Sequence, residues 1–374
     1  MNFHGGNIYD YKNIKYDFSS NINPLGVPES FKNALYNNID MLSKYPDREY
    51  RELIKSLERY LGMSGFKIIL GNGAVEVIHE IISLSEFDRV YTIVPTFSEY
   101  KRGALLSNKE FHGVECYNQD YTGVDIEYLL NEVRENSLVI LCNPNNPTGY
   151  YINNEEMKEI SEKLNKKNCD LLIDEAFIEF TPDYPNSSFL SNLCHCPNVT
   201  IIRAITKFFG MPGIRLGYGI TGDLGLWERV RQSQDPWNIN TAAVIAGCTV
   251  LEDMEYIEKS RKWIEEERAD FYNNLSKIKD LKVIPSAANY HLLKIVKKGM
   301  DAFNLRDILI NEGILIRVPT GFYPLTRGYF RLAVLDDKSN TAILKALNFV
   351  FRMVGNESQS KNTGFHRRTY TRKN

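Results

Sequence analysis

The feature that most constrains the fold is the alternation of short apolar runs with amphipathic segments. Continuous apolar runs at Leu138–Cys142, residues 171–173 and residues 199–202 are typical of strands buried on both faces. Further strands or helices are predicted at residues 67–70, 73–84, 89–94 and 155–166. This order predicts an α/β fold, with a mostly parallel central sheet flanked by helices.

The pattern changes after Gln234. A long charged helix is predicted at residues 254–278, and shorter elements follow it at residues 282–284, 291–295, 303–311, 313–317, 329–333 and 340–354. These elements predict a smaller α+β domain. We expect residues 1–40 to be the N-terminal part of this small domain, residues 41–235 the large domain, residues 236–355 the C-terminal small domain, and residues 356–374 a disordered basic tail.

Composition narrows the class of protein. The chain has 374 residues, of which 43% are hydrophobic and 25% charged, and its formal net charge is -2. We therefore expect a globular, cytoplasmic protein that binds neither nucleic acid nor membrane. The six cysteines lack a repeated spacing, which indicates reduced thiols and no metal site. Residues 1–4 do not resemble a signal peptide, and no apolar run is long enough to span a bilayer.

Two side chains follow predicted strands and could carry chemistry. Lys207 lies among Ile205, Phe208 and Phe209, where loss of water would lower its pKa and make the amine nucleophilic. Asp174 ends a buried strand, the place where open α/β sheets bind ligands. The alternatives are a solvated surface lysine and a carboxylate that caps a helix or forms a structural ion pair.

Two turns could also contact a ligand. Residues 71–73 (Gly-Asn-Gly) join a strand to a helix, where backbone N–H groups can bind phosphate. Residues 143–149 (Asn-Pro-Asn-Asn-Pro-Thr-Gly) follow the strand that ends at Cys142 and could present an amide side chain. The alternative in both cases is an ordinary turn, because the same residue types dominate turns in general.

Taken in order, three motifs resemble those of a known superfamily. They are residues 143–149, residues 174–177 (Asp-Glu-Ala-Phe) and residues 206–218 (Thr-Lys-Phe-Phe-Gly-x-Pro-Gly-x-Arg-x-Gly-Tyr). The chain from residue 1 to about 354 resembles the fold-type I aminotransferase superfamily. The resemblance implies a homodimeric enzyme that uses pyridoxal 5'-phosphate.

The resemblance also assigns cofactor contacts. It implies that Lys207 holds the cofactor as a Schiff base, that Asp174 pairs with the ring nitrogen, that Asn146 bonds the 3'-oxygen and that Phe97 stacks on the ring. The implied phosphate contacts are Gly73, Ala74, Val75, Thr206, Arg215 and, from the neighbouring subunit, Tyr45. Two positions depart from the commonest pattern, because Phe177 replaces a tyrosine and Ala204 replaces a serine.

Other segments narrow the resemblance. Residues 4–7, 17–26 and 234–240, together with Phe177, are similar to the threonine-phosphate decarboxylases of cobalamin biosynthesis, which themselves resemble histidinol-phosphate aminotransferases. We therefore expect decarboxylation of L-threonine O-3-phosphate to (R)-1-amino-2-propanol O-2-phosphate. The alternatives are a histidinol-phosphate aminotransferase that uses 2-oxoglutarate, or a related phospho-amino-acid aminotransferase, and a non-catalytic binder of the cofactor. The chain shows no DNA-binding domain of the kind such a regulator would usually carry.

The implied substrate contacts lie in the N-terminal segment, in the turn at residues 143–149 and in the small domain. Arg331 resembles the arginine that binds the substrate α-carboxylate, since a planar guanidinium suits a bidentate contact. Arg317, His4 and Asn23 would hold the phosphate, and Asn146 would contribute as well. From the residues alone, His4 is better explained as a frayed terminal residue. Arg317 could equally be a surface cation after a strand.

Overall fold

The computed structural model describes residues 4–360, with side chains described through residue 353. The strands within this range are β1 (Tyr16–Asp17), β2 (Lys67–Gly71), β3 (Arg89–Ile93), β4 (Glu110–Val114), β5 (Leu138–Cys142), β6 (Asp170–Asp174), β7 (Val199–Ala204), β8 (Gly217–Thr221), β9 (Leu281–Val283), β10 (Tyr290–Ile295), β11 (Ile314–Leu315) and β12 (Tyr329–Ala333).

The helices of the same range are α1 (Glu29–Asn37), α2 (Arg51–Leu61), α3 (Ala74–Leu84), α4 (Glu99–Leu106), α5 (Ile126–Glu132), α6 (Asn154–Lys166), α7 (Ile205–Phe208), α8 (Leu224–Ser233), α9 (Thr241–Val250), α10 (Met254–Ser276), α11 (Ala302–Asn311) and α12 (Asp337–Ser360).

Seven strands form the central sheet, in the order β2-β8-β7-β6-β5-β3-β4. Strand β8 runs antiparallel to both of its neighbours, and the other pairs are parallel. Every residue of β5 and β7 is buried, as their continuous apolar sequences predict. The prediction of a mostly parallel sheet flanked by helices is confirmed. The carboxyl ends of β5, β6 and β7 meet at one edge of this sheet.

The small domain contains two further sheets. Strands β9, β10 and β12 form an antiparallel sheet, while β1 pairs in parallel with β11. Phe18 links the two sheets, because its N–H donates to Leu315 O at 2.8 Å and its carbonyl accepts from Ala333 N at 3.0 Å. The segment after β1 is thus tied to the small domain.

Most elements lie within two residues of their predicted limits, and two differ from their predicted length by more than that. Strand β11 has two residues, whereas a strand over residues 313–317 was predicted, because the chain leaves β1 after Leu315 and pairs through Arg317 with Arg331. Helix α12 begins at Asp337 and continues to Ser360, which is five residues into the predicted tail of residues 356–374. The rest of that tail, residues 361–374, lies outside the described residues.

Helix α9 bears on the domain limits, which remain our proposal. It packs against α1 and α2, and a Cβ added at Gly247 would lie 2.3 Å from Leu53 Cδ1. Glycine therefore permits α9 to lie directly against α2 of the large domain. Helix α9 therefore contacts both α1, in the predicted small domain, and α2, in the predicted large domain. No helix in the described range is long and apolar enough to cross a membrane.

Candidate active site

A cavity of about 250 Å³ lies at the carboxyl edge of the central sheet. It is bounded by the large domain on one side and by the small domain and the N-terminal segment on the other. The predicted cofactor contacts that line it are Ala74, Val75, Phe97, Asn146, Asp174, Thr206, Lys207 and Arg215. The predicted substrate contacts that also line it are His4, Arg317 and Arg331. The structure therefore brings together residues more than 300 positions apart in sequence.

Lys207 enters this cavity from α7, the single-turn helix that follows β7. Burial and, to a smaller extent, the positive charges of Arg331 and Arg215 lower the pKa of its ammonium group to about 8. Asp17 and Asp174 oppose this shift. A larger share of Lys207 is thus the neutral amine near neutral pH than for an exposed lysine, which favours attack on a carbonyl carbon.

Asp174 is the last residue of β6 and is almost completely buried. Tyr100 Oη donates to its Oδ2 at 2.6 Å, and Ala176 N donates to its Oδ1 at 3.0 Å. Burial raises the pKa of the Asp174 carboxyl, and these two hydrogen bonds oppose the rise. Tyr100 was missed in the sequence, although it lies one helical turn beyond Phe97 and contacts that ring edge-on.

Two glycines lie beside the first turn of α3, next to the cavity residues Ala74 and Arg215. Gly73 has φ +91°, and a Cβ there would lie 2.1 Å from Arg215 Nη2. A Cβ at Gly217 would lie 2.2 Å from Ala74 N. Both positions therefore need glycine to let Arg215 and β8 approach the first turn of α3. The open N–H groups of that turn and the Arg215 guanidinium suit a phosphate group.

Arg331 lies on β12 with its guanidinium buried in the cavity wall. Its Nη1 donates to Asn146 Oδ1, and its Nη2 donates to Ser19 O at 2.7 Å and to Asn21 Oδ1 at 3.4 Å. Its Nε has no hydrogen-bond partner among the described residues. Burial lowers the pKa of Arg331 to about 10. A buried cation that contacts only neutral oxygens suits an anionic ligand.

Arg317 is the second buried guanidinium of the cavity. Its Nη2 donates to Thr320 O at 2.8 Å, and its Cζ lies 4.8 Å from the ring centre of Phe322. Burial and the nearby charge of Arg331 lower the pKa of Arg317 to about 9. The reading of Arg317 as a surface cation is therefore wrong. Phe322, which also lines the cavity, gave no signal in the sequence.

His4 lies at the rim of the cavity. Its Nε2 is 2.8 Å from Glu99 Oε1, and its ring centre is 5.9 Å from that of Phe97. This contact joins the N-terminal segment to helix α4 of the large domain. Glu99 was not singled out in the sequence, and no pattern connects two residues 95 positions apart.

The assignment of Asn23 to the substrate phosphate is wrong. Asn23 Nδ2 donates to Phe208 O and to Ser260 Oγ, each at 2.7 Å, and Asn23 Oδ1 accepts from Leu25 N at 3.0 Å. The side chain is buried outside the cavity. Asn23 therefore fixes the N-terminal segment against α7 and α10. Ser20 and Asn21, three and two positions earlier, line the cavity instead.

Tyr45 lies outside this cavity on the protein surface. Its side chain is 78% exposed, and its ring stacks on Trp237 with the centres 4.4 Å apart. The two departures from the superfamily pattern, Phe177 and Ala204, do line the cavity. Phe177 packs edge-on against Tyr290, so the cavity wall is apolar where a tyrosine hydroxyl would otherwise stand.

The fold and this site define a pyridoxal-phosphate enzyme of the aminotransferase type. The family model "Aminotransferase class I and II" matches residues 13–347, so the chain belongs to that family. A crystal structure of histidinol-phosphate aminotransferase from Sinorhizobium meliloti, which is 26% identical, contains pyridoxal-5'-phosphate. It superposes with a TM-score of 0.81 over 90% of each chain.

The relatives are named for two different activities. The threonine-phosphate decarboxylase of Salmonella typhimurium is 34% identical over 93% of this chain and 96% of its own length. A protein of Caldanaerobacter subterraneus, provisionally named for the same activity, is 38% identical over 93% and 94%. The histidinol-phosphate aminotransferase of Clostridium acetobutylicum is 40% identical, with a TM-score of 0.85 over 90% of this chain and 98% of that one.

The residues present fit pyridoxal phosphate, which is the cofactor of this enzyme class. The cavity offers a desolvated lysine, a buried carboxylate at one side and a glycine-lined helix N-terminus with an arginine at the other. These groups match an aldehyde, a ring nitrogen and a phosphate in turn. The fit rests on the shape and donor set of the cavity itself.

Proposed function

We propose that this enzyme decarboxylates L-threonine O-3-phosphate to (R)-1-amino-2-propanol O-2-phosphate. The observation that carries the proposal is the pair of buried guanidinium groups, Arg317 and Arg331, in the cavity that also contains Lys207. Threonine phosphate carries a carboxylate and a phosphate close together, so each anion can meet one arginine. Histidinol phosphate carries one anionic group and a neutral or cationic ring, although 2-oxoglutarate, its co-substrate in the alternative reaction, carries two carboxylates.

We assign the cofactor contacts as follows. Lys207 binds the cofactor covalently, Asp174 pairs with the ring nitrogen, and Phe97 packs on the ring. Asn146 bonds the 3'-oxygen, while Gly73, Ala74, Val75, Thr206 and Arg215 surround the phosphate. When bound, the cofactor would supply an electron sink for the bond that breaks at the substrate Cα. What the protein must do is choose that bond.

In this proposal, two sets of side chains that bind the anionic groups of the substrate determine which bond at Cα breaks. Arg331 binds the α-carboxylate, and Arg317 with His4 binds the phosphate. A substrate held at both ends cannot rotate freely about its Cα bonds, and a fixed orientation is a large part of catalysis. Loss of CO2 leaves a carbon that must gain a proton. Lys207 Nζ, with a pKa of about 8, is the candidate donor for it.

Histidinol-phosphate aminotransferase remains the second candidate function. The Clostridium acetobutylicum structure of that name favours it, because its identity and TM-score are high over almost the whole chain. The two activities differ in co-substrate. An aminotransferase needs 2-oxoglutarate to complete its cycle, whereas a decarboxylase consumes no 2-oxo acid.

The test is a comparison of steady-state rates. The purified holoenzyme is given threonine phosphate alone, or histidinol phosphate with 2-oxoglutarate. We expect a kcat/KM for threonine phosphate that exceeds the kcat/KM for the second pair by at least about a hundredfold, because histidinol phosphate offers no carboxylate to Arg331. A higher kcat/KM for histidinol phosphate would assign the protein to the second function.

We also propose that the enzyme is a homodimer in which Tyr45 reaches the partner's cofactor. Five exposed apolar side chains occur between residues 36 and 45, namely Tyr36, Ile39, Met41, Leu42 and Tyr45. Apolar surface concentrated in this way is typical of a protein interface. The stack of Tyr45 on Trp237 extends the same surface.

A further inference from the structure

The N-terminal segment crosses the cavity between the two domains. On the small-domain side, Gly6 N donates to Ser19 Oγ at 2.8 Å, and a Cβ added at Gly5 would lie 2.1 Å from Ser19 O. Ser19 O is also the acceptor for Arg331 Nη2. Residues 5 and 6 are therefore packed directly on the group that orients the Arg331 guanidinium.

On the large-domain side, His4 of the same segment contacts Glu99. Glu99 lies at the start of α4 and is 4% exposed, although it is a charged residue. Arg102 Nη1 lies 3.0 Å from its Oε2, and His79 Nε2 lies 3.2 Å from the same atom. These two partners hold the carboxylate on Oε2 and leave Oε1 to His4 at 2.8 Å.

His4 and Arg317 occupy equivalent places in the cavity system. Both line the cavity of about 250 Å³ with Lys207, and both line an adjoining cavity of about 240 Å³ between the N-terminal segment and the small domain. They stand at the boundary between the two spaces. An anionic group held by Arg317 would therefore occupy a space that His4 also lines.

We propose that Glu99 is a positioning residue for substrate phosphate, which acts by docking His4 across the cavity at the boundary shared with Arg317. Glu99 belongs to the large domain and is held in place by His79 and Arg102, so it offers a fixed anchor for a histidine on an otherwise exposed segment. The hydrogen bonds from His4 and His79 hold the pKa of Glu99 well below its usual range. The carboxylate is ionised and accepts from His4 Nε2, which fixes the orientation of the ring.

This inference rests on the proposed function, in that it assumes a phosphorylated amine as substrate. It assigns a role to Glu99, which belongs to none of the sequence motifs. Glu99 should matter for the phosphate of the substrate and only through His4. It should not affect the cofactor, since its carboxylate contacts none of the cofactor residues.

The test is a double-mutant cycle on the holoenzyme with Glu99→Gln, His4→Ala and the combined variant. Dissociation constants for threonine phosphate, histidinol phosphate and free threonine are measured from the change in cofactor absorbance. We expect each single variant to bind the phosphorylated substrate about tenfold more weakly, the value of one charge-assisted contact. The combined variant should bind no more weakly than His4→Ala, and binding of free threonine should be unchanged.

Glu110→Gln is the matched control, because Glu110 also lies beside a histidine, His112 at 3.4 Å, but is itself exposed on the edge strand β4. It should bind all three compounds like the wild type. If Glu99→Gln fails to fold, Glu99→Asp replaces it in the cycle, because it keeps the charge for His79 and Arg102 but shortens the reach to His4.

Three results would overturn the inference. One is a Glu99→Gln effect of equal size in the His4→Ala background. Another is equal weakening of free threonine, and the third is wild-type binding by His4→Ala. This test can fail independently of the proposed function. If the effects of Glu99→Gln and His4→Ala are non-additive only for histidinol phosphate, the role of Glu99 is supported and the decarboxylase is rejected. If the enzyme decarboxylates threonine phosphate but the two effects are additive, the decarboxylase is supported and the role of Glu99 is rejected.

Discussion

Arg317 and Arg331 are joined by two backbone hydrogen bonds: Arg317 N donates to Arg331 O at 3.2 Å, and Arg331 N donates to Arg317 O at 2.8 Å. This bridge ties the segment after β11 to β12 and places two guanidinium groups in one cavity wall. Two cations buried near each other are costly unless anions join them. The bridge is therefore the part of the backbone that most directly prepares the site for a substrate with two anionic groups.

The two arginines should differ in what they recognise. Arg317→Ala should weaken the binding of threonine phosphate about tenfold to a hundredfold, since one contact with a dianion is worth about 1.5–3 kcal/mol. Any residual activity on free threonine should stay nearly the same. Arg331→Ala should weaken both compounds, because both carry the carboxylate. The KM of each compound is measured for each variant. If Arg317→Ala raises the KM of both compounds equally, Arg317 does not bind the phosphate.

Lys207 should be required for covalent attachment of the cofactor. Lys207→Ala should have no measurable turnover and should lack the visible absorbance of the covalently bound cofactor. Lys166→Ala, which removes an exposed lysine at the end of α6, serves as the control and should behave like the wild type. A Lys207→Ala protein that still holds the cofactor after borohydride reduction and denaturation would show that another amine forms the bond.

The lowered pKa of Lys207 should be visible in the apoenzyme. The amine reacts only when neutral, and its pKa is about 8 in place of the usual 10.5, so its neutral fraction grows as pH rises through 8. The rate of pyridoxal phosphate capture should therefore rise between about pH 6 and pH 9 and then level off. Arg331→Met should move the midpoint upward by removing a positive charge. A rate that still climbs steeply above about pH 10 would contradict a desolvated lysine.

Asp174 should be needed for rate and not for fold. Asp174→Asn should lower kcat by roughly a hundredfold or more, because the ring nitrogen loses the charge that keeps it protonated. Asp170→Asn is the matched control, since Asp170 begins the strand that Asp174 ends and lies away from the cavity. Near wild-type kcat in Asp174→Asn would mean that another group protonates the ring.

The sequence predicted best those residues that follow buried strands. Asp174 and Lys207 end or follow continuous apolar runs, and the carboxyl ends of neighbouring parallel strands must meet, so their convergence was predictable. Arg331 was found through its motif. Asn23 was misassigned because an asparagine in a loop gives no sign of which way its amide points. Glu99 was missed because its charge suggested a solvated helix surface, and only the fold reveals that His4 reaches it.

The dimer proposal predicts a specific role for Tyr45. Sedimentation should show a twofold assembly, and Tyr45→Ala should release the cofactor more readily on dialysis without loss of the folded subunit. Tyr9→Ala, at a side chain that is 93% exposed, is the control and should retain the cofactor like the wild type. A monomer with full activity would contradict the proposal, because no second subunit would then supply the Tyr45 contact.

The most direct test of the proposed reaction follows the carboxyl carbon of threonine phosphate. The holoenzyme is incubated with substrate labelled with ¹³C at the carboxylate, without any 2-oxo acid, and the released gas and the amine product are measured together. We expect one labelled CO2 for each molecule of 1-amino-2-propanol phosphate, over many turnovers. Retention of the label in the substrate, together with transfer of the amine from histidinol phosphate to 2-oxoglutarate, would contradict the decarboxylase.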